Sequence, residues 1–230
     1  MGKRGKGYGS EDQFLRYRAE RPTEFDRLLL GASGAQDGHL RWHYPIGAER
    51  EREPQGVDFI DNPEVQRLWG EFWPQRGRAQ CWDGVATLES NGTSEWVLIE
   101  AKANAVELVT SPCGASKDGG LDQIVKALGR VKRELGVHRD YPWTGTYYQY
   151  ANRLAALFFL NTIARLPARL LNVYFMGDRF PDGRACPADE SEWRPLIEAR
   201  RITLGLPRRH SLSDRVYDVF VPVTLTPGAH

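Results

Sequence analysis

Residues 80–103 read Gln80-Cys-Trp-Asp83-Gly-Val-Ala-Thr-Leu-Glu-Ser-Asn91-Gly92-Thr-Ser-Glu-Trp-Val-Leu-Ile-Glu100-Ala-Lys102-Ala103. Two β-prone runs flank Asn91-Gly92. That dipeptide is a strong hairpin signal, because a type I′ turn needs positive φ at both central residues. With Asn91 and Gly92 as the turn, Ser90 faces Thr93. Stepping back along both strands then sets Asp83 opposite Glu100, with Cβ atoms about 5 Å apart. Side chains alternate along a strand, so Lys102 shares the face of Glu100. The open end of the hairpin therefore gathers two carboxylates and an ammonium. Facing like charges destabilise a sheet unless compensated. A divalent cation is one natural compensator, since Mg²⁺ is held by one or two carboxylates together with phosphate oxygens and water. A solvated edge hairpin is the alternative, but Val97-Leu98-Ile99 reads as a strand buried on both faces, where a charged end needs a reason.

An Asp near a strand start followed by Glu-x-Lys on the next strand resembles the PD-(D/E)XK nuclease superfamily. Here the pattern is Asp83, then Glu100-Ala101-Lys102, with Trp82 standing where the Pro that names the motif would be. The resemblance implies a restriction-endonuclease-like α/β fold, a mixed central sheet flanked by helices, over about residues 62–176. It also implies a Mg²⁺ or Mn²⁺ held by Asp83, Glu100 and the Ala101 carbonyl, with Lys102 orienting the attacking water. The activity implied is phosphodiester hydrolysis, on DNA rather than RNA. Two other readings stand beside it: a non-catalytic binding protein on the same fold, and a structural ion-pair cluster without chemistry.

The remaining chain is read outward from this hairpin. Asn62-Pro63 predicts a helix, Asn as N-cap and Pro at the first helical position, with Val65, Leu68, Trp69 and Phe72 facing the core. Some relatives take a further acid from the helix before the hairpin; Glu64 and Glu71 are the nearest, against the simpler reading of solvated helix charges. After the hairpin, the loop that leaves the Glu100 strand carries Glu107, Ser111, Ser116 and Lys117. Glu107 could add a carboxylate, and the others could touch a phosphate. Leu121 to Leu135 predicts an amphipathic helix ended by Gly136, with Leu121, Ile124, Val125, Leu128, Val131 and Leu135 inward. Lys126, Arg130 and Arg133 form a second face, either solvated or phosphate-tracking. Thr146 to Ile163 predicts a helix whose second half is apolar all round. Gln149, Asn152 and Arg153 share one of its faces. Some superfamily members place a Gln and a Tyr on the helix after Glu-x-Lys; here Gln149 is followed four residues on by Arg153, and both are secondary site candidates.

Elsewhere, Arg169 to Met176 predicts a central strand and Val216 to Val223 a last strand, at an edge because of Pro222. Glu190 to Arg201 predicts a helix with Trp193, Leu196 and Ile197 inward. Ser10 with Gln13 predicts a capping box opening a helix, and Thr23 with Asp26 a second. Residues 1–9 read as a disordered tail, and Ala48 to Gln55 as an exposed charged stretch.

A chain of 230 residues suits one domain, 1–230, with additions around the core. Net charge is +1, so any nucleic-acid surface must be local. Cys81, Cys113 and Cys186 form neither a zinc spacing nor a disulfide framework, which points to a reducing cytoplasm. The Gly- and Lys-rich start is no secretory signal, and Leu154–Leu160 is too short to span a membrane. No separate sequence-reading module is visible, so a homodimer or a partner protein is a route to specificity.

Overall fold

The computed structural model describes residues 7–46, 52–75, 80–184 and 186–223. The expected tail therefore lies outside the described residues over 1–6, and the charged stretch over 48–51. The hairpin forms as the Asn-Gly pair demands: Asn91 has φ 50° and Gly92 φ 75°. It joins β2 (Gly84–Ser90) to β3 (Thr93–Lys102), in the register that pairs Ser90 with Thr93 and Gly84 with Ile99. Strand β1 (His39–Tyr44) lies antiparallel on the outer side of β2. Strand β4 (Ala168–Met176) pairs parallel with β3, and β5 (Val216–Pro222) parallel with β4. The result is a mixed five-stranded sheet in the order β1-β2-β3-β4-β5, with Pro222 on an edge strand as expected.

Helices cover both faces. On one face α1 (Ser10–Glu20) and α2 (Pro22–Ala32) bury Phe14, Tyr17, Phe25 and Leu29 against Val97, Ile99, Val173 and Phe175. The other face carries α3 (Pro63–Phe72), α5 (Leu121–Glu134), α6 (Tyr148–Phe158) and α7 (Glu190–Thr203). Their Trp69, Leu128, Leu154 and Trp193 share a core with Val85, Leu98, Leu170 and Tyr174. Both faces of β3 are dry over Val97–Ala101, which is why Val97-Leu98-Ile99 is apolar without alternation. A short helix, α4 (Ala105–Leu108), follows β3 directly. At its far end α6 runs into a π-helical turn, Phe159–Ile163, and its apolar second half is buried as its composition requires.

Asn62 caps α3 as expected, accepting from the Glu64 and Val65 N–H groups. Other details differ from expectation. The N-cap of α1 is Gly9, not Ser10: at φ 95° it occupies a conformation that favours glycine. Its N–H is taken by Asp178 at 2.7 Å, and Gln13 reaches the same carboxylate, so a distant acid does the work of the expected capping box. Helix α2 starts at Pro22, with proline's fixed φ suited to the first turn, rather than at Thr23. On α5 Val125 is 51% exposed; Ala127 takes the inward position because the buried stripe runs Ile124, Ala127, Leu128, Val131.

Candidate active site at the open end of the hairpin

The site begins where β2 stops being regular. At Gly84 an added Cβ would stand 2.7 Å from Phe14 Cζ and 3.1 Å from Trp42, so the backbone lies directly on those rings. Ladder pairing ends there, at Gly84–Ile99. Asp83 then donates its N–H to the Ile99 carbonyl at 3.1 Å, a position a continued register would not give it. The expected facing pair Asp83–Glu100 is therefore not a ladder pair; the chain bends and brings the two carboxylates to one cavity instead. Asp83 Oδ2 accepts the Ala101 N–H at 2.8 Å. Among the described residues its Oδ1 has no hydrogen-bond partner, and Asp83 stands on the wall of an open cavity of about 320 Å³.

Glu100 is buried and fully engaged. Lys102 Nζ donates to Oε1, and Arg153 Nε donates to Oε2 at 2.7 Å. Arg153 reaches further: to the Cys81 carbonyl at 2.6 Å, to Asn152 Oδ1 at 2.8 Å, and over the Trp82 ring at 4.9 Å. It therefore ties α6 to β3 and to the segment that enters β2. Lys102 Nζ also donates to Gln149 Oε1 at 3.1 Å. Behind this layer lies a water-sized void of about 20 Å³, bordered by Asn172, Tyr174 and the buried Arg200, whose guanidinium stacks 3.6 Å from the Tyr150 ring.

The two carboxylates differ in charge state. Burial, then the nearby Glu100, push Asp83 up to about 7, against the opposing pull of Lys102 and the Ala101 N–H. Burial would raise Glu100 as well, but Arg153 and Lys102 outweigh it and hold Glu100 below the usual carboxylate range. At neutral pH the site holds one firmly ionised acid and one near its midpoint.

Sequence reasoning missed Glu53. The segment around it pairs with the entry to β2: Gln55 bridges Cys81, Gly56 N–H donates to the Gln80 carbonyl, and Trp82 N–H donates to the Pro54 carbonyl. Glu53 is thereby brought to the same cavity wall, beside the Cys81 thiol, which burial and this neighbour both push up. Glu53, Pro54 and Gln55 are half-buried rather than exposed, a correction to the reading of residues 48–55. Ser10, Gln80 and Tyr148 also line the cavity. Of the residues named from sequence, Asp83, Glu100, Lys102, Gln149 and Arg153 come together there, with Asn152. Glu64 does not; it is exposed on α3 and paired with Arg67, which also holds Glu71. Ser116 and Lys117 do not either: they sit exposed in the turn before α5, where Ser116 Oγ accepts the Gly119 N–H. Glu107 is occupied locally, its carboxylate accepting the Ala103 N–H at 2.8 Å.

Among the described residues no group of three or more His, Cys, Asp or Glu side chains is arranged to hold a metal ion. The donor set still suits a hard cation bound partly by water and phosphate. Asp83 offers an oxygen without a protein partner, Glu100 and Glu53 border the same space, and such ions need only one or two carboxylates. Glu100 would have to release one of its two cationic partners to join. Among the described residues no helix is long and apolar enough to cross a membrane. Compared with known proteins, the chain matches no family model, no curated protein and no solved structure.

Proposed function

We infer that the protein is a Mg²⁺- or Mn²⁺-dependent nuclease that hydrolyses phosphodiester bonds in DNA, on a restriction-endonuclease-like fold. The observation that carries this reading is the convergence of Asp83, Glu100 and Lys102 on one cavity at the end of a strand whose preceding residues, Val97, Leu98 and Ile99, are apolar and buried on both faces. The order of helix, hairpin, helices and parallel strand in a mixed sheet supports it. A bound divalent ion would lower the pKa of water and neutralise charge on the phosphate; Asp83, Glu100 and the Ala101 carbonyl would hold it, with Glu53 at hand.

The chain's own groups supply the rest. Lys102, set between Glu100 and Gln149, is a compact cation able to orient water and stabilise charge on a phosphoryl oxygen. Arg153 fixes the Glu100 carboxylate and the Cys81 backbone in one frame, acting as a positioning residue. The exposed Lys126, Arg130 and Arg133 on α5 are suited to phosphate contacts of the bound strand. A homodimer or a partner protein would supply the specificity that this small basic surface does not.

One observation favours a second reading, a non-catalytic ion-pair cluster: both Glu100 oxygens are already taken by cations. The test is incubation of plasmid and single-stranded DNA with Mg²⁺, with Mn²⁺ and with EDTA, beside calorimetric titration of each metal. Cutting that EDTA abolishes is expected. Neither cutting nor metal binding would leave the ion-pair cluster.

A further inference from the structure

Gln80 lies three residues before Asp83, at the entry to β2. It is 5% exposed. Its backbone is used, the carbonyl accepting the Gly56 N–H at 2.9 Å. The side chain is not used: neither Oε1 nor Nε2 has a hydrogen-bond partner. Other buried atoms without partners, Arg18 Nε, Asn104 Nδ2 and Arg169 Nε, belong to side chains bonded through their remaining atoms. Among the described residues Gln80 alone leaves both ends of a buried polar group unpaired. Buried carboxamides are ordinarily satisfied, and a leucine here would avoid the loss. Gln80 borders the cavity that holds Asp83, Glu100 and Lys102.

The chemistry of the amide narrows the ligand. A phosphate offers only acceptors and would satisfy Nε2 alone; a metal ion would satisfy Oε1 alone. A nucleobase edge presents a donor beside an acceptor and satisfies both in one plane, as Gln does with adenine. The same wall carries Tyr148, half-buried, whose ring is a stacking surface for a base. The neighbouring amides, Gln149 and Asn152, have their oxygens committed to Lys102 and Arg153. We propose that Gln80 reads the edge of a nucleobase next to the scissile phosphate, making it the base-selecting residue of this cavity. The proposal rests on the nuclease reading. Both amide atoms are shielded from solvent, so reading a base requires the side chain to turn toward the cavity.

Fluorescence anisotropy with labelled dA, dC, dG and dT hexamers tests it, Ca²⁺ replacing Mg²⁺, on wild type and Gln80→Leu, with thermal melts of both. Wild type binds the preferred hexamer about fivefold or more tighter than the weakest. In Gln80→Leu the four fall within about twofold, and its melting temperature equals or exceeds that of wild type. A Gln80→Leu variant that keeps the wild-type order of preference overturns the proposal. So does a wild type that binds all four alike, or a lower melting temperature, which would mean that the amide had a protein partner. DNA cutting with an unchanged base preference in Gln80→Leu would sink this proposal and leave the nuclease reading standing. Neither cutting nor hexamer binding would sink both.

Discussion

Glu95 and Glu100 stand on the same strand, each clamped by two cations. Glu95, near the start of β3, accepts from Arg169 and Arg215. Glu100, near its end, accepts from Lys102 and Arg153. As ion pairs the two look alike. At Glu95, though, one carboxylate meets two guanidiniums and the account closes. At Glu100 a second carboxylate, Asp83, is added, Glu53 borders the same space, and a cavity opens beside them. The surplus acid shows in Asp83, pushed up to about 7 by burial and by Glu100. A clamped glutamate is thus architecture in itself. Surplus carboxylate facing open space is what turns one of the two clusters into a candidate site.

The comparison can be broken most forcibly by removing one cation from each end. Arg153→Leu leaves Glu100 buried with one oxygen unpaired and should cost about 3–5 kcal/mol in urea unfolding. Arg215, whose side chain is 42% exposed, should cost about 0–1 kcal/mol when made Leu. Equal losses would mean that the two clusters are the same kind of structure.

Asp83 sharpens the comparison through pH. Its ordinary value of 3.8 is raised in the fold, so the protonated form is the one the fold favours. Its contribution to stability is fully present below about pH 4 and is lost as pH rises through about 7. Thermal melts of metal-free protein between pH 4 and 8 should show that decline, and Asp83→Asn should remove it and melt higher than wild type at pH 8. Metal affinity should weaken as pH falls below 7, since the ion competes with a proton. An unchanged pH profile in Asp83→Asn would show that Asp83 carries no such strain. A control lies in the turn, far from both clusters: Gly92→Ala, at φ 75°, should cost about 1 kcal/mol in the same unfolding assay and leave metal binding intact.

The parts of this arrangement that follow from local rules were readable in the sequence. Asn91-Gly92 set the hairpin and its register, the apolar Val97-Leu98-Ile99 marked β3 as buried on both faces, and the mostly apolar run of β4 pointed to a central strand. Helical spacing placed Gln149, Asn152 and Arg153 on one face of α6. What spacing could not supply was their partner, since Arg153 meets Glu100 across 53 residues of sequence. Glu53 and Gln80 were hidden for the same reason: they reach the cavity only because residues 54–56 pair with 80–82, a contact with no repeating pattern to announce it. Gly84, next to the bend at Asp83, lies against aromatic rings of α1 and β1, again a long-range contact. Ser10 looked like a cap because the sequence shows the serine and not the distant Asp178.

The most direct measurement is the Mg²⁺- and Mn²⁺-dependent cleavage rate of one DNA substrate by wild type, Lys102→Ala and Glu95→Gln prepared side by side. Lys102→Ala should lose about 10²–10³-fold or more, while Glu95→Gln should cut within about twofold of wild type. Equal cutting by wild type and Lys102→Ala would place the chemistry away from the hairpin and rule out Lys102 as a catalytic residue.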